Sequence, residues 1–158
     1  MIAMLRKLVA HQRWADDKVL QALHSQEDPP ARALDLYRHI LGAESVWLAR
    51  ILGEPSPLPV WPSFGLVDAE RAAAGLHAGF DRLLEGLDAE GLERPIAYRN
   101  SAGRSFTTPL GDILLHVCLH GVNHRAQISQ LLRQAHHPPV TTDYIEFVRG
   151  VPAATRTA

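Results

Sequence analysis

Apolar residues recur with helical spacing in four long segments, and no other feature of the sequence limits the fold as strongly. The segments cover about residues 2–26, 34–53, 67–87 and 108–135. Proline or glycine follows three of them, because proline cannot continue a helix and glycine ends one favourably. Four amphipathic helices that must each bury one face predict an all-α fold, a four-helix bundle.

Two irregular segments connect the predicted helices. Residues 54–65 contain four prolines, so they predict an ordered crossover loop between the second and third helices. Residues 95–107 change to a strand-like period at Ile96 and Tyr98, followed by a turn and Phe106. This pattern predicts a small β-hairpin before the fourth helix.

The start of the fourth helix and the end of the chain also carry local signals. Thr108 suits the N-cap position of the fourth helix, and Pro109 suits its first helical position. A last short helix is predicted at about residues 142–148. Because 158 residues fit one hydrophobic core better than two, we predict a single domain over residues 1–158.

The charge balance excludes several classes of partner. Sixteen Lys and Arg residues stand against seventeen Asp and Glu residues, which leaves no strong field to attract phosphate backbones or anionic membranes. The chain has one cysteine, and we find no signal peptide and no apolar run long enough to span a bilayer. We therefore expect a cytoplasmic protein that binds neither nucleic acid nor a membrane.

Three of the nine histidines share one face of the fourth helix with two amides. At about 100° per residue, His120 lies about 40° and His124 about 80° from His116 around the helix axis. Asn123 and Gln127 fall on the same face, at about −20° and 20°. This face therefore predicts a polar cluster.

The neighbours of this face predict the direction in which its histidines point. Ile113, Leu119 and Leu131 flank the face, so we expect the histidines to project toward the bundle interior. Burying several imidazoles is costly, and a divalent metal ion removes the cost by binding one nitrogen of each. Taken alone, however, the i, i+4 spacing also fits a solvated or hydrogen-bonded pair.

A histidine on the second helix is the candidate for a further ligand. His39 lies on a helix face that it shares with Ala43, Val46 and Trp47. A lone histidine on such a face is otherwise a hydrogen-bonded core residue. We assign no site role to the remaining histidines, which are His11, His24, His77, His136 and His137.

Some aromatic and amide residues have two interpretations each. Trp14 and Trp47 either line a ligand pocket or belong to the core, where large aromatics at helical spacing are common. Asn123 and Gln127 either orient metal-bound imidazoles or have ordinary surface or core roles.

Two further residues of the fourth helix lie off the histidine face. Cys118 lies about 200° from His116, so it points away from the cluster and is predicted to be a small buried hydrophobe. Arg125 faces the opposite side of the helix, where we expect a solvated charge, a salt bridge or a dimer contact.

Four segments spread along the chain match motifs of one known family. They are QRWADD at 12–17, HILGAESVWL at 39–48, the histidine series ending in HRAQ at 115–127, and DYIEF at 143–147. Their order and the place of the hairpin resemble those of the DinB-like (YfiT-like) family of metal-binding four-helix bundles. The sequence departs from the family pattern at Ala126, usually glycine, and at His11, where an aromatic is common.

The resemblance implies a ligand set. In the family, one metal ion is held by the second-helix histidine and the last two histidines of the fourth-helix series, which correspond to His39, His120 and His124. His116 would then contact the ligands or a substrate rather than the ion. Neither departure from the family pattern touches these residues.

Three histidine ligands leave at least one coordination position open, as in catalytic sites. An ion with an open position can activate water or deprotonate a thiol. We therefore predict a metal-dependent enzyme acting on a small molecule, either a hydrolase or, as the resemblance implies, an S-transferase using a low-molecular-weight thiol. The alternative is a non-catalytic, stress-associated protein in which the ion is structural.

The identity of the ion and the assembly are less constrained. All-histidine ligation suits Zn, Ni, Cu and Fe alike, and Zn and Ni are the first candidates for the single divalent transition-metal ion. A homodimer is expected, because the helices carry many apolar positions and relatives often form dimers.

Overall fold

The computed structural model describes residues 1–150 and contains four long helices with a short fifth one. The helices are α1 (Ile2–His24), α2 (Ala31–Leu52), α3 (Leu66–Glu85), α4 (Leu110–Gln134) and α5 (Tyr144–Arg149). A 3-10 turn (Gly91–Glu93) precedes the antiparallel strands β1 (Pro95–Arg99) and β2 (Ser105–Pro109). This confirms the predicted helical bundle with a small hairpin before the last long helix.

The four long helices form a ring in which neighbours are not all consecutive in sequence. Both α1 and α2 pack along α3 and α4, which places α1 and α2 on one diagonal and α3 and α4 on the other. Aliphatic side chains from all four helices form the core. Within residues 1–150, no helix is long and apolar enough to cross a membrane.

Polar residues also enter the centre of the bundle. Asp16 of α1, Glu44 of α2, His77 of α3 and Arg125 of α4 are all buried. Desolvation of such groups is costly unless they are paired. The point where these four residues meet is therefore a candidate functional site, in addition to sites on the surface.

The hairpin connects the bundle to the start of α4. Its register pairs Ile96 with Thr108 and Tyr98 with Phe106. The Asn100 side chain accepts hydrogen bonds from the backbone N–H groups of Ala102 and Arg104, which closes the predicted turn. The hairpin packs against both α2 and α4.

The predicted N-cap of the fourth helix is wrong, because the residue assigned to the cap belongs to the preceding strand. Thr108 belongs to β2, and Pro109 precedes the first helical residue, Leu110, without a side-chain cap bond. The strand pairing continues as far as Pro95 and Pro109, and the Thr108 hydroxyl lies 3.3 Å from the Tyr98 hydroxyl. Strand pairing therefore uses the residue that local sequence assigns to the cap. The predicted single domain extends to residue 158, so its last part lies outside the described residues.

Candidate metal centre

Three histidines from two helices lie together at one side of the bundle. His39 projects from α2, while His120 and His124 project from successive turns of α4. One ring nitrogen of each lies within 4.8 Å of the others. The ring centroids are 4.5 Å apart for His120 and His124, and 5.0 and 4.8 Å from His39 to these two. The three side chains could therefore share one metal ion.

The crossover loop fixes the orientation of His39. The His39 Nδ1–H donates a hydrogen bond to the Val60 carbonyl oxygen at 3.0 Å. Because a carbonyl only accepts, Nδ1 carries the proton and Nε2 of the neutral ring keeps its lone pair. The Trp61 ring stacks on the imidazole with a centroid distance of 3.9 Å. A ring fixed in this way, with the correct nitrogen free, is typical of a metal ligand.

A glycine on α2 lets the loop come this close. A Cβ at Gly42 would lie 2.6 Å from the Val60 carbonyl oxygen and would also collide with the Pro59 carbonyl oxygen. Gly42 is three residues after His39, so both face the loop. The position of the loop, and with it the hydrogen bond between Val60 and His39, therefore depends on a glycine at residue 42, which has no side chain.

Burial favours the neutral form of His120 and His124. Burial, followed by the neighbouring His124 and His39, lowers the pKa of His120 to about 4. Burial and His39 also lower the pKa of His124, while Gln127 beside it raises that pKa. Neutral imidazole is the form that binds metal, so the lowered pKa values of His120 and His124 favour metal binding at neutral pH.

A buried nitrogen without a regular hydrogen bond supports the interpretation that the site binds an ion. His124 Nδ1 is buried and has no hydrogen-bond partner of regular geometry within residues 1–150, even though Gln127 lies close by. A buried polar atom of this kind is costly unless something satisfies it. Together with a donor set of three imidazoles, this atom fits a borderline transition metal such as Zn or Ni.

Aromatic residues border the three histidines on the side of the hairpin. His116 is exposed, and its ring lies 5.9 Å from His120 and 5.3 Å from Trp47. Trp47 also contacts Tyr98, at 5.0 Å between ring centroids. The Arg50 guanidinium lies over Trp47 at 4.6 Å. These residues form a wall next to the candidate centre.

The other predicted site residues are distributed differently. Gln127 is half-buried beside His124, but Asn123 is exposed and its side chain makes no hydrogen bond within residues 1–150. The Trp14 ring contacts His11 and Phe147, so it packs away from the three histidines. The ring contacts therefore put Trp47, and not Trp14, next to the candidate centre, and a pocket role of either residue stays a prediction.

The predicted direction of the α4 histidines is wrong. His116 is exposed, His120 and His124 are only partly buried, and Leu119, which was expected to mark the interior, is 59% exposed. The core face of α4 is instead the strip that contains Leu114, Val117, Gly121, Arg125 and Ile128. The histidine face therefore lies at the edge of the bundle and not in its core.

Of the three alternatives left open for Arg125, the structure shows the salt bridge and not the solvated charge. Its side chain is fully buried, and Nη1 donates to Asp16 Oδ1 at 2.7 Å. A Cβ at Gly121, one turn earlier, would lie 2.6 Å from Nη1, so this glycine makes room for the guanidinium. A glycine four residues before an arginine was the available sequence signal.

Two histidines that were assigned no role are buried. His11 Nε2 lies 2.8 Å from the Thr142 carbonyl oxygen, and burial lowers the His11 pKa. His77 lies next to the Asp16 carboxylate, with 3.6 Å between Nε2 and Oδ2. The sequence analysis also missed Asp16 and Glu44, although both fall on the apolar stripes of their helices. A charge at a core position of a helical stripe was the signal that could have found them.

Cys118 behaves as predicted. It is buried, and burial raises the pKa of its thiol to about 12. The thiolate form is therefore scarce at neutral pH, which agrees with a small buried hydrophobe and not with a nucleophile.

Comparison with known proteins shows the family of the chain. The profile of the DinB family matches residues 1–155, and the chain therefore belongs to the DinB family. A curated relative is Protein DinB of Bacillus subtilis (strain 168), which is 36% identical over 55 residues. The matched region is 35% of this chain and 32% of the relative, so the match spans about a third of that relative's length.

Proposed function

We propose that His39, His120 and His124 bind one divalent transition-metal ion, Zn or Ni, and that the protein is a metal-dependent enzyme. The proposed reaction is hydrolysis or transfer of a low-molecular-weight thiol. The observation that carries the proposal is the convergence of three ring nitrogens within 4.8 Å at an accessible edge of the bundle. A structural ion would more often be enclosed by four protein ligands.

Each residue around the site has a defined task in this proposal. Bound at three imidazoles, the ion would polarise a water or a thiol at its open position. His39, held by Val60, presents Nε2 and cannot rotate away. His116 is exposed next to His120, so its imidazole is placed to accept a proton from a bound water or thiol.

The wall of aromatic residues suggests the substrate class. Trp47 and Tyr98 offer apolar contact, and the Arg50 guanidinium lies over both rings at 4.6 and 5.0 Å. Arg50 is also fixed by donating a hydrogen bond to the Arg99 carbonyl oxygen at 2.9 Å. A fixed positive charge beside an apolar wall fits a small anionic molecule, such as a carboxylate-bearing thiol or ester.

An activity screen with matched protein forms tests the enzyme proposal. Metal-loaded protein is assayed for thiol transfer to electrophiles and for ester and amide hydrolysis, with metal-free protein as the control. We expect activity in one of the two panels, and we expect His116→Ala to lower it by about 10²–10⁴-fold while the metal content is unchanged. Gln127→Ala should also lower activity more than metal content.

One result would contradict the enzyme proposal. If loaded protein is inert in both panels while the metal only raises the melting temperature, the ion is structural. If His116→Ala instead releases the ion as completely as His120→Ala does, the assignment of ligands is wrong.

A further inference from the structure

A second group of potential ligands lies at the centre of the bundle. Asp16 of α1, Glu44 of α2 and His77 of α3 each contribute one ligand atom, and these atoms lie within 4.8 Å of one another. The three residues are 0, 2 and 8% exposed. Three different helices therefore direct polar atoms toward one buried point.

The atoms that face this point contact one another but lack a hydrogen bond of regular geometry. Within residues 1–150 this holds for Asp16 Oδ2, Glu44 Oε2 and His77 Nε2, although Glu44 can share a proton with Asp16 and His77 Nε2 lies 3.6 Å from Asp16 Oδ2. The second oxygen of each carboxylate is anchored, since Asp16 Oδ1 accepts from Arg125 at 2.7 Å and Glu44 Oε1 accepts from Gln12 at 2.8 Å. Each carboxylate is thus held by one oxygen while the other remains available.

The charges around the point do not cancel. Two carboxylates, Asp16 and Glu44, face one permanent cation, Arg125, so with a neutral His77 one negative charge lacks a partner when both are ionised. Burial and the adjacent Asp16 raise the pKa of Glu44 well above its usual range. A proton on Glu44 is therefore the competitor of any cation at this position.

A cleft leads from the surface to His77. It lies between α1 and α3, has a volume of about 660 Å³ and includes His77 in its lining. Asp17, Glu70 and Asp81 also line it, against the single arginine Arg13. The surplus of carboxylates favours the entry of a cation. This cleft is on the opposite side of the helix ring from the α2 and α4 histidines.

We propose that Asp16, Glu44 and His77 form a second divalent-cation site, separate from the three-histidine centre and reached through the cleft between α1 and α3. Two carboxylates and one imidazole suit a harder ion than three imidazoles do, and Mn²⁺ is the chemical class that we assign to the site. A four-helix bundle is a suitable scaffold, because facing helices can direct carboxylates and histidines into its core. The inference does not depend on the proposed enzymatic activity.

Mn²⁺ binding by electron paramagnetic resonance tests the second site. The parent protein is the His120→Ala/His124→Ala variant, so that the three-histidine centre cannot contribute. We expect about one equivalent of bound Mn²⁺, with the modulation of a single imidazole nitrogen in the spin-echo signal. Glu44→Gln and His77→Gln in this background should each weaken binding by at least about tenfold. Both substitutions leave the Asp16–Arg125 ion pair intact.

His24→Gln is the matched control. His24 lines the same cleft, but it is exposed and lies outside the buried group. The control should bind Mn²⁺ as the parent does. Absence of Mn²⁺ binding in the folded parent would show that the buried group holds only a proton. Equal binding in Glu44→Gln, His77→Gln and the control would place the ion on surface carboxylates. If both variants fail to fold, the absence of the nitrogen modulation in the parent overturns the proposal.

Discussion

At the residue scale, burial of His120 couples the candidate metal centre to pH. In the metal-free protein, burial and the nearby imidazoles lower the His120 pKa from 6.5 to about 4. The unfolded chain therefore binds a proton between these pH values while folded His120 does not. The folded protein should lose stability as the pH falls through this range.

The prediction concerns the slope of stability with pH. Metal-free wild-type protein should show a melting temperature that falls between about pH 6.5 and 4, and His120→Gln should fall less steeply. Burial also lowers the pKa values of His124 and His11. The His120→Gln substitution should therefore remove only part of the change of the melting temperature with pH. Thermal unfolding monitored by circular dichroism measures it. Identical slopes for the two proteins would contradict the assignment of this proton to His120.

At the scale of elements, the contact between α2 and the crossover loop determines how well His39 is placed. Gly42 allows the loop to approach, and Val60 then accepts the His39 hydrogen bond at 3.0 Å. Gly42→Ala should push the loop away and break this bond. We expect metal affinity to fall about 10–100-fold and stability to fall by about 1–3 kcal/mol. Calorimetric Zn titration and thermal unfolding measure the two effects.

Gly75→Ala on α3 is the control for this variant. A Cβ at Gly75 meets nothing within 4 Å, so the substitution adds helix propensity without a clash. It should stabilise the protein by about 0.5–1 kcal/mol and leave metal affinity unchanged. Equal Zn affinity in the two variants would show that the loop does not position His39.

The sequence predicts the elements in which apolar residues recur with a regular period, but it does not predict the contacts between elements. The four helices and the hairpin follow from the spacing of apolar residues, and the i, i+4 spacing puts His120 and His124 on one helix face. Which face of α4 meets the core depends on its neighbours. The polar residue Arg125 lies on the core face because Asp16 of α1 is there to accept its hydrogen bond. The two residues are 109 positions apart in the sequence, so the residue pattern of a single helix does not reveal that they pair.

At the scale of the whole molecule, α4 presents an exposed stripe that could join two copies. Leu115, Leu119 and Val122 are 39, 59 and 46% exposed and follow one another at helical spacing. Exposed Asp112 precedes the stripe, and exposed Arg133 follows it. An antiparallel two-fold pairing of α4 centred near Val122 would set Asp112 opposite the partner's Arg133.

We therefore predict a homodimer formed through α4. Light scattering at high micromolar concentration should report the dimer for the wild type and a monomer for Leu119→Glu. Asp112→Arg should weaken the dimer, and Asp112→Arg combined with Arg133→Asp should restore it. Val67→Glu is the control, because Val67 is 65% exposed on α3 and should not affect assembly. A monomeric wild type, or equal effects of Leu119→Glu and Val67→Glu, would contradict this arrangement.

The most direct test of the central claim is the number of Zn²⁺ ions bound with high affinity by metal-free protein. Calorimetric titration of the wild type and of His120→Ala/His124→Ala gives this number, with His116→Ala as the matched α4 variant. We expect the double variant to lose about one equivalent that the wild type and His116→Ala retain. Far-ultraviolet circular dichroism should show that all three proteins are helical. If the folded double variant binds as much Zn²⁺ as the wild type does, the three histidines do not form the metal centre.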